Sequence, residues 1–457
     1  MKFSRSDHKF ASLVASFALL GVAGLGVAGL GAGAVQAVPE KARPCDSFVE
    51  TIGVGSRFDW MFGEGKIETV RRALRASRIR YIRTGALPEG ADPIKYTEAM
   101  RNVTRELGIK VCLNIGWDPR ANSENAIARW TQAPSPVYAL EGANESFERP
   151  GWGSKEWDDS LALQRFIWQA GRRKNLDIYS WTLGGPAGYY WGMPREADKY
   201  ATHANVHPYH WYANPGGRGN TKMNGLWQNT ETPENAGTIA AARNAWMKNP
   251  AKPFVSTEFG WGLDTLPGNY VGVSEEVQAK YLARGLLENF NAGMERGFIY
   301  SLFPHNDDFG IARANGTLRP SGQAIADLIF LTGEPGSASI ATTSLDYSLR
   351  VDSGLKTMDN HDLRDDEIHH TLLQKKNRRF LLILWADKDS QKGDAKPENA
   401  TLTLPAGAKS VRIWKPVTKG TAAVAMLGTI APGGTVRLVG DTAIPDHPLV
   451  IEIEGTL

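Results

Sequence analysis

Residues Val137–Glu145 read VYALEGANE and residues Phe254–Trp261 read FVSTEFGW. Each is a short β-rich run that closes on a glutamate before glycine-containing sequence, and each precedes a stretch with helical periodicity. Working outward, six more such runs appear. The strands predicted are Phe48–Val54, Ile79–Thr84, Lys110–Ile115, Val137–Glu141, Leu176–Thr182, Ala204–His207, Phe254–Glu258 and Phe298–Leu302. Helical patterns fall between them at Lys66–Ser77, Lys95–Leu107, Trp157–Arg173, Ala236–Asn249 and Glu275–Ala292. Eight strand and helix alternations in one region predict an α/β fold, a (β/α)₈ TIM barrel, with a doubly wound open sheet as the competing arrangement.

The chain has 457 residues, enough for about three average domains or one large barrel with an appendage. After Thr332-Gly333-Glu334-Pro335-Gly336-Ser337 the periodicity changes. Tyr347–Val351, Arg379–Ala386, Ala400–Leu404, Ser410–Lys415, Thr435–Val439 and Pro448–Glu454 have the length and β-branched content of antiparallel strands. A small all-β sandwich is therefore expected over 337–457, after a barrel over 38–333. Only Trp385 and Trp414 of fourteen tryptophans lie beyond Gly333, so aromatic surface, and with it substrate contact, is expected in the barrel. The sandwich is expected to support the barrel without a catalytic residue.

The net charge is +3, and Lys2, Arg5 and Lys9 against Asp7 supply +2 of it within the first 37 residues. The remainder has no bulk basic field for a nucleic-acid backbone or an anionic membrane, which favours a neutral ligand such as a saccharide. Those 37 residues run from a basic start through an apolar stretch, Ala11–Leu30, to the small-residue end Val35-Gln36-Ala37. This is the pattern of a cleaved export signal; the alternative is a retained anchor, since about 20 apolar residues can span a bilayer. Glycines at 21, 24, 26, 29, 31 and 33 favour cleavage, and a periplasmic or extracellular location follows. Cys45 and Cys112 are the two cysteines; they form one bridge at the barrel floor or remain two inert thiols.

Catalytic groups of a barrel sit at the C-terminal ends of its strands. Breaking a glycosidic bond requires two carboxyl groups flanking the anomeric carbon, and Glu145 and Glu258 meet that need. With these segments the sequence resembles the clan A retaining glycoside hydrolases, which have (β/α)₈ barrels. In that clan an Asn-Glu pair ends the fourth strand and a glutamate ends the seventh. The resemblance extends to Arg83 in Tyr81-Ile82-Arg83-Thr84 and to His207-Pro208-Tyr209, similar to a His-x-Tyr element of family 5. Tyr300-Ser301-Leu302-Phe303 through Arg319-Pro320-Ser321 looks like bacterial members of families 5 and 39. Phe303 stands where many members carry a tryptophan under the sugar, and the third strand ends Asn114-Ile115-Gly116-Trp117 without the family 5 histidine.

The resemblance implies Glu145 as acid/base and Glu258 as nucleophile, with Asn144 on the sugar 2-hydroxyl and Arg83 and Tyr209 orienting Glu258. For Arg83 the alternative is a structural ion pair, as with Glu141; for His207 it is a core histidine. Trp117, Trp152, Trp191, Trp211, Trp227 and Trp261 fall near strand-to-helix loops, where about half are expected to meet sugar faces and the rest to pack loops. Asp307 and Asp308 read as solvated loop acids. His361, His369 and His370 lie among Asp359, Asp362, Asp365 and Asp366 without a tight metal spacing, so a polar loop is expected there. Asn144-Glu145-Ser146 fits the glycosylation pattern at a place where a glycan obstructs the site. No phosphate-binding Gly-rich loop and no Gly-x-Ser-x-Gly elbow is present, which removes phosphoryl transfer and serine hydrolysis. An exported β-glycoside hydrolase acting on a poly- or oligosaccharide, with no cofactor and no metal, is the leading expectation. Transglycosylation by the same pair, or a noncatalytic carbohydrate-binding barrel, are the alternatives.

Overall fold

The computed structural model describes residues 39–456 apart from 57–65, 88–91, 117–119, 146–153, 183–195, 210–214, 216–251, 265–271, 306–307, 356–367, 392–394, 418–424, 429 and 432–433. The expected signal segment, the expected helix Ala236–Asn249, His361, Asp307 and five of the loop tryptophans (Trp117, Trp152, Trp191, Trp211 and Trp227) lie outside the described residues. Among the described residues no helix is long and apolar enough to cross a membrane.

Eight strands form one parallel sheet: Ile52–Gly55, Tyr81–Gly85, Lys110–Asn114, Val137–Glu141, Asp177–Tyr179, Ala204–Val206, Phe254–Phe259 and Arg296–Ile299. Numbered one to eight in chain order, they pair sequentially from one to five and from six to eight, and strand eight pairs back onto strand one. A parallel bridge between Tyr179 and His203 closes the gap between strands five and six. The result is a barrel, not an open doubly wound sheet.

The wall follows the period-two rule for strands. Outward residues such as Val54, Ile82, Leu113, Leu140 and Ile299 share one core cluster with Val70 and Leu74, Met100 and Val103, and Leu282 and Leu286 on the surrounding helices. Inward residues Tyr81, Cys112, Ala139, Tyr179, Val255 and Phe298 form a separate apolar layer inside the barrel. Two positions further along the strands come Arg83, Asn114, Glu141 and Thr257, so a polar tier rests on an apolar floor.

Local chemistry accounts for the helices. Lys66–Ser77 buries Val70, Ala73, Leu74 and Ser77, an i, i+3, i+4, i+7 stripe. Pro93–Leu107 starts on Asp92, whose carboxylate accepts from the Ile94 and Lys95 amides, has Pro93 in its first turn, and ends at Gly108 with φ 65°. Phe48 and Val49, expected in the first strand, belong instead to a short helix, Cys45–Val49, packed by its apolar side into the core. Two helices unassigned from sequence, Arg120–Trp130 and Pro320–Thr332, complete the described set around the barrel.

From Ser344 onward the strands pair with one another antiparallel, and Ile368–Gln374 also takes Arg43–Pro44 as a parallel neighbour. Ser348–Val351, Ala400–Thr403 and Thr435–Leu438 make one sheet. The other contains Ala425–Gly428, Ala408–Trp414, Leu449–Gly455, Phe380–Ala386 and Ile368–Gln374, with Arg43–Pro44 at its edge. Leu349, Leu402 and Val436 from the first meet Leu372, Leu382, Leu384 and Ile451 from the second in one cluster, as a sandwich requires. Glu40–Lys41 also pairs in this region, with Ser344–Leu345, so residues 40–44 run beside the sandwich before the chain enters the barrel. His369 and His370, expected in a polar loop, lie in the Ile368–Gln374 strand, because pairing with Phe380–Ala386 buries that segment.

The cysteines are free and buried. Cys45 belongs to the cluster outside the barrel wall and Cys112 to the layer inside it, which separates them. Burial pushes the Cys45 thiol up to about 12, and burial together with the Glu141 charge holds Cys112 well above its usual range, so both are protonated at neutral pH.

Candidate active site

Arg83 is the hub of the polar tier. Its Nε lies 2.5 Å from Glu141 Oε2 and its Nη2 3.0 Å from Glu141 Oε1, while Nη1 donates to Glu258 Oε1 at 2.5 Å. Nη2 also donates to Asn144 Oδ1. Both sequence readings of Arg83 therefore hold together: it is paired with Glu141 and it holds Glu258. Burial alone would lower the guanidinium pKa, but the Glu141 and Glu258 charges raise it well above its usual value.

Glu258 is buried, and its second oxygen accepts from the Tyr209 hydroxyl at 2.8 Å. Burial, then the charges of Glu258 and Glu145, push the Tyr209 phenol well up, so it remains a donor. Tyr209 packs edge-on against Tyr300 and Phe309 with ring centroids 6.2 and 5.8 Å away.

Glu145 stands at the end of a tight exit from strand four. Asn114 donates to the Gly142 carbonyl at 2.9 Å, and a Cβ on Gly142 would lie 2.3 Å from Gln164 Oε1 and 3.1 Å from the Trp181 backbone nitrogen, so only glycine fits. Glu145 itself adopts a left-handed backbone, φ 45°, with its amide donating to Thr182 Oγ1 at 3.0 Å. Such conformations are held by surrounding structure and cluster at functional sites. Its side chain is 30% exposed, against 5% for Glu258.

His207 stands between the two acids. Its Nδ1 is 2.8 Å from Glu145 Oε1 and 3.7 Å from Glu258 Oε2, and its Nε2 is 2.9 Å from Thr257 Oγ1. Thr257 Oγ1 in turn approaches Glu141 Oε1 at 2.6 Å, and Asn205 contacts Glu141 and Thr257 from strand six. The nearest donor atoms of Glu145, His207 and Glu258 all lie within 4.8 Å of one another. One buried, anchored carboxyl group and one partly exposed carboxyl thus face a common point, an arrangement suited to attack from one side and proton transfer from the other.

The structure brings Glu145, Glu258, Arg83, Asn144, His207 and Tyr209 together. It does not bring Trp261 or Phe303 to them as ligand surfaces. Trp261 is 0% exposed and tilted against Tyr281, and Phe303 is 1% exposed in the core, so neither offers a face for stacking. Trp117 lies outside the described residues. Asp308, read as solvated, is bound through two contacts by Arg319, at 2.7 and 3.2 Å. Thr257, Asn205 and Tyr300 were not among the expected site residues. Thr257 and Asn205 carry only the signal of polar residues inside otherwise apolar strands.

No protein-family model and no curated protein matches this chain. Among solved structures it is similar to AbfB, a family 51 alpha-L-arabinofuranosidase from Bifidobacterium longum, with a TM-score of 0.56 and 11% identity over 92% of this chain and 98% of that one. It is also similar to a monomeric beta-xylosidase from Caulobacter crescentus CB15, with a TM-score of 0.54 and 11% identity over 91% of this chain and 98% of that one. At such identity the likeness is one of fold, and it spans barrel and sandwich alike.

Proposed function

We propose that this chain is a retaining β-glycoside hydrolase of clan A type, exported and acting on a poly- or oligosaccharide, with Glu258 as nucleophile and Glu145 as acid/base. The observation that carries the reading is the approach of the Glu145 and Glu258 carboxylate oxygens to within 4.8 Å. Double displacement works with carboxyl groups about 5–5.5 Å apart, whereas inversion needs about 6.5–9.5 Å to admit a water. Both solved neighbours being glycosidases by description agrees with it. Export rests on the basic, apolar and small-residue order of the first 37 residues.

In this scheme Glu258, held by Arg83 and Tyr209, attacks the anomeric carbon as Glu145 gives its proton to the departing oxygen. Glu145 then takes a proton from water, which displaces the sugar from Glu258 and releases it with retained configuration. Asn144 turns its oxygen to Arg83, which leaves its amide hydrogens for the sugar 2-hydroxyl.

Replacing each glutamate by alanine tests the roles on an activated aryl β-glycoside. Glu258→Ala removes ester formation, so turnover falls by several orders of magnitude. Glu145→Ala retains the first step better than the second, and the ester accumulates. Azide restores turnover in both, giving a β-glycosyl azide with Glu145→Ala and an α-glycosyl azide with Glu258→Ala. Wild-type rates in both variants on a substrate that the wild type cleaves would remove the assignment.

A further inference from the structure

We propose that Thr182, just past the end of strand five, is a positioning residue for Glu145: its hydroxyl holds the left-handed turn that sets the Glu145 carboxyl against His207. What Glu145 does is taken from the hydrolase reading; how it is held follows from the contacts of the turn.

Beyond Glu141 the chain leaves strand four and is carried by the exit of strand five. The Gly142 amide donates to the Tyr179 carbonyl at 3.4 Å, and the Thr182 amide donates back to the Ala143 carbonyl at 3.1 Å. The Glu145 amide then donates to Thr182 Oγ1 at 3.0 Å. That last contact falls on the residue with φ 45°. A glutamate in this region is strained, and the strain is of the same order as one hydrogen bond, so the turn persists where contacts hold it.

Thr182 is itself fixed. It is buried, and the amide of its neighbour Trp181 donates to Gln164 Oε1 at 3.2 Å. Gln164, fully buried on the helix Ser154–Arg172, also donates through Nε2 to the carbonyls of Tyr179 and Tyr200 at 3.3 and 2.9 Å. The hydroxyl is therefore a fixed point of the barrel wall. On the other side, His207 Nδ1 lies 2.8 Å from Glu145 Oε1. Strand five thus holds the Glu145 backbone while the residue following strand six meets its carboxyl. Glu258 is held separately, by Arg83 and Tyr209. Releasing the Glu145 amide is consequently a fault in proton transfer and not in attack.

The test compares two aryl β-glycosides of one sugar, a dinitrophenyl glycoside that departs without protonation and a phenyl glycoside that needs it. Thr182→Val replaces the hydroxyl by a methyl of similar size, and Thr182→Ser keeps it. In Thr182→Val, kcat/KM should fall roughly 10–100-fold on the phenyl glycoside and a few-fold at most on the dinitrophenyl one. Thr182→Ser should recover most of the loss. Equal losses on both substrates, as from a smaller folded fraction, would overturn the proposal. Should Thr182→Val not fold, Thr182→Ala takes the same readings. Glu145→Ala measured alongside separates the two claims: no leaving-group dependence there removes the acid role itself, whereas dependence there and none in Thr182→Val removes the positioning role alone. Crystals of wild type and Thr182→Val need no substrate. The variant should show Glu145 out of the left-handed region or its carboxyl drawn away from His207; φ still near 45° with the 2.8 Å contact intact would overturn the proposal.

Discussion

Between Ser256 and Phe259 the seventh strand carries two residues opposite the single residue that separates Gly297 from Ile299 on the eighth. That bulge lets neighbours Thr257 and Glu258, which a regular pleat would send to opposite faces, both reach the interior. One contacts Glu141 and the other Arg83. The consequence is a buried cluster in which one cation serves two carboxylates. Arg83→Met should therefore cost about 3–5 kcal/mol in denaturant unfolding, since it strands both. Adding Glu141→Gln should recover part of the stability but none of the activity, because Glu258 still lacks its guanidinium; full additivity of the two changes would refute the coupling. Gly142→Ala should cost about 1–3 kcal/mol in the same assay and lower turnover, because its Cβ collides with Gln164 at the base of the Glu145 turn.

At the scale of elements, Phe380–Ala386 is buried on both faces: Phe380, Leu382 and Leu384 enter the sandwich core, while Leu381, Ile383 and Trp385 join the barrel's outer core. Its unbroken apolar run, FLLILWA, carried this meaning, and a one-faced antiparallel strand would have alternated. The partner strand Ile368–Gln374 was illegible because its histidines are buried only through contacts remote in sequence. His369 Nδ1 lies 2.6 Å from Glu288 on the Glu275–Asn291 helix, with Asp387 3.9 Å from its Nε2, and Trp385 also contacts Glu288. Burial alone would lower the imidazole pKa, but the Glu288 charge and hydrogen bond, then Asp387, raise it from 6.5 to about 9; Arg284 opposes them. A pKa raised on folding contributes stability that is complete below about pH 6.5 and lost as pH climbs through 9. Wild-type protein should thus lose on the order of 3 kcal/mol between those values. His369→Gln should lack that slope, and parallel pH profiles would contradict the assignment.

For the whole molecule, the sandwich completes the barrel. Lys280 on the Glu275–Asn291 helix reaches Asp446 at 3.0 Å, both buried, and Arg284 on the same helix donates to the carbonyls of Lys388 and Asp446 at 2.9 and 3.2 Å. Cutting the chain after Gly336 would remove Asp446 from Lys280 and the Lys388 and Asp446 carbonyls from Arg284, and uncover the barrel residues that Leu381, Ile383 and Trp385 cover. A truncate ending there should be insoluble or unfolded, and the complete protein should unfold in one calorimetric transition. Two well-separated transitions, or a soluble folded truncate, would show that the shared core contributes little.

Barrel and sandwich were legible in the sequence because strand ends, helical periods and turn residues are local properties. Lys66–Ser77 lies where its stripe of apolar residues put it, Glu145 follows the strand that ends at Glu141, and Glu258 is next to last in Phe254–Phe259. Only the tertiary structure decided what each side chain meets. It buried Trp261 and Phe303, which loop position and the family resemblance made candidates for sugar contact; Trp261 packs against Tyr281 of the Glu275–Asn291 helix, and Phe303 lies in the core around the barrel. It also put Thr257 under His207 and joined Arg83 to two acids at once. Those contacts link residues 50 to 175 positions apart, and no periodicity within a strand encodes which distant strand will stand beside it.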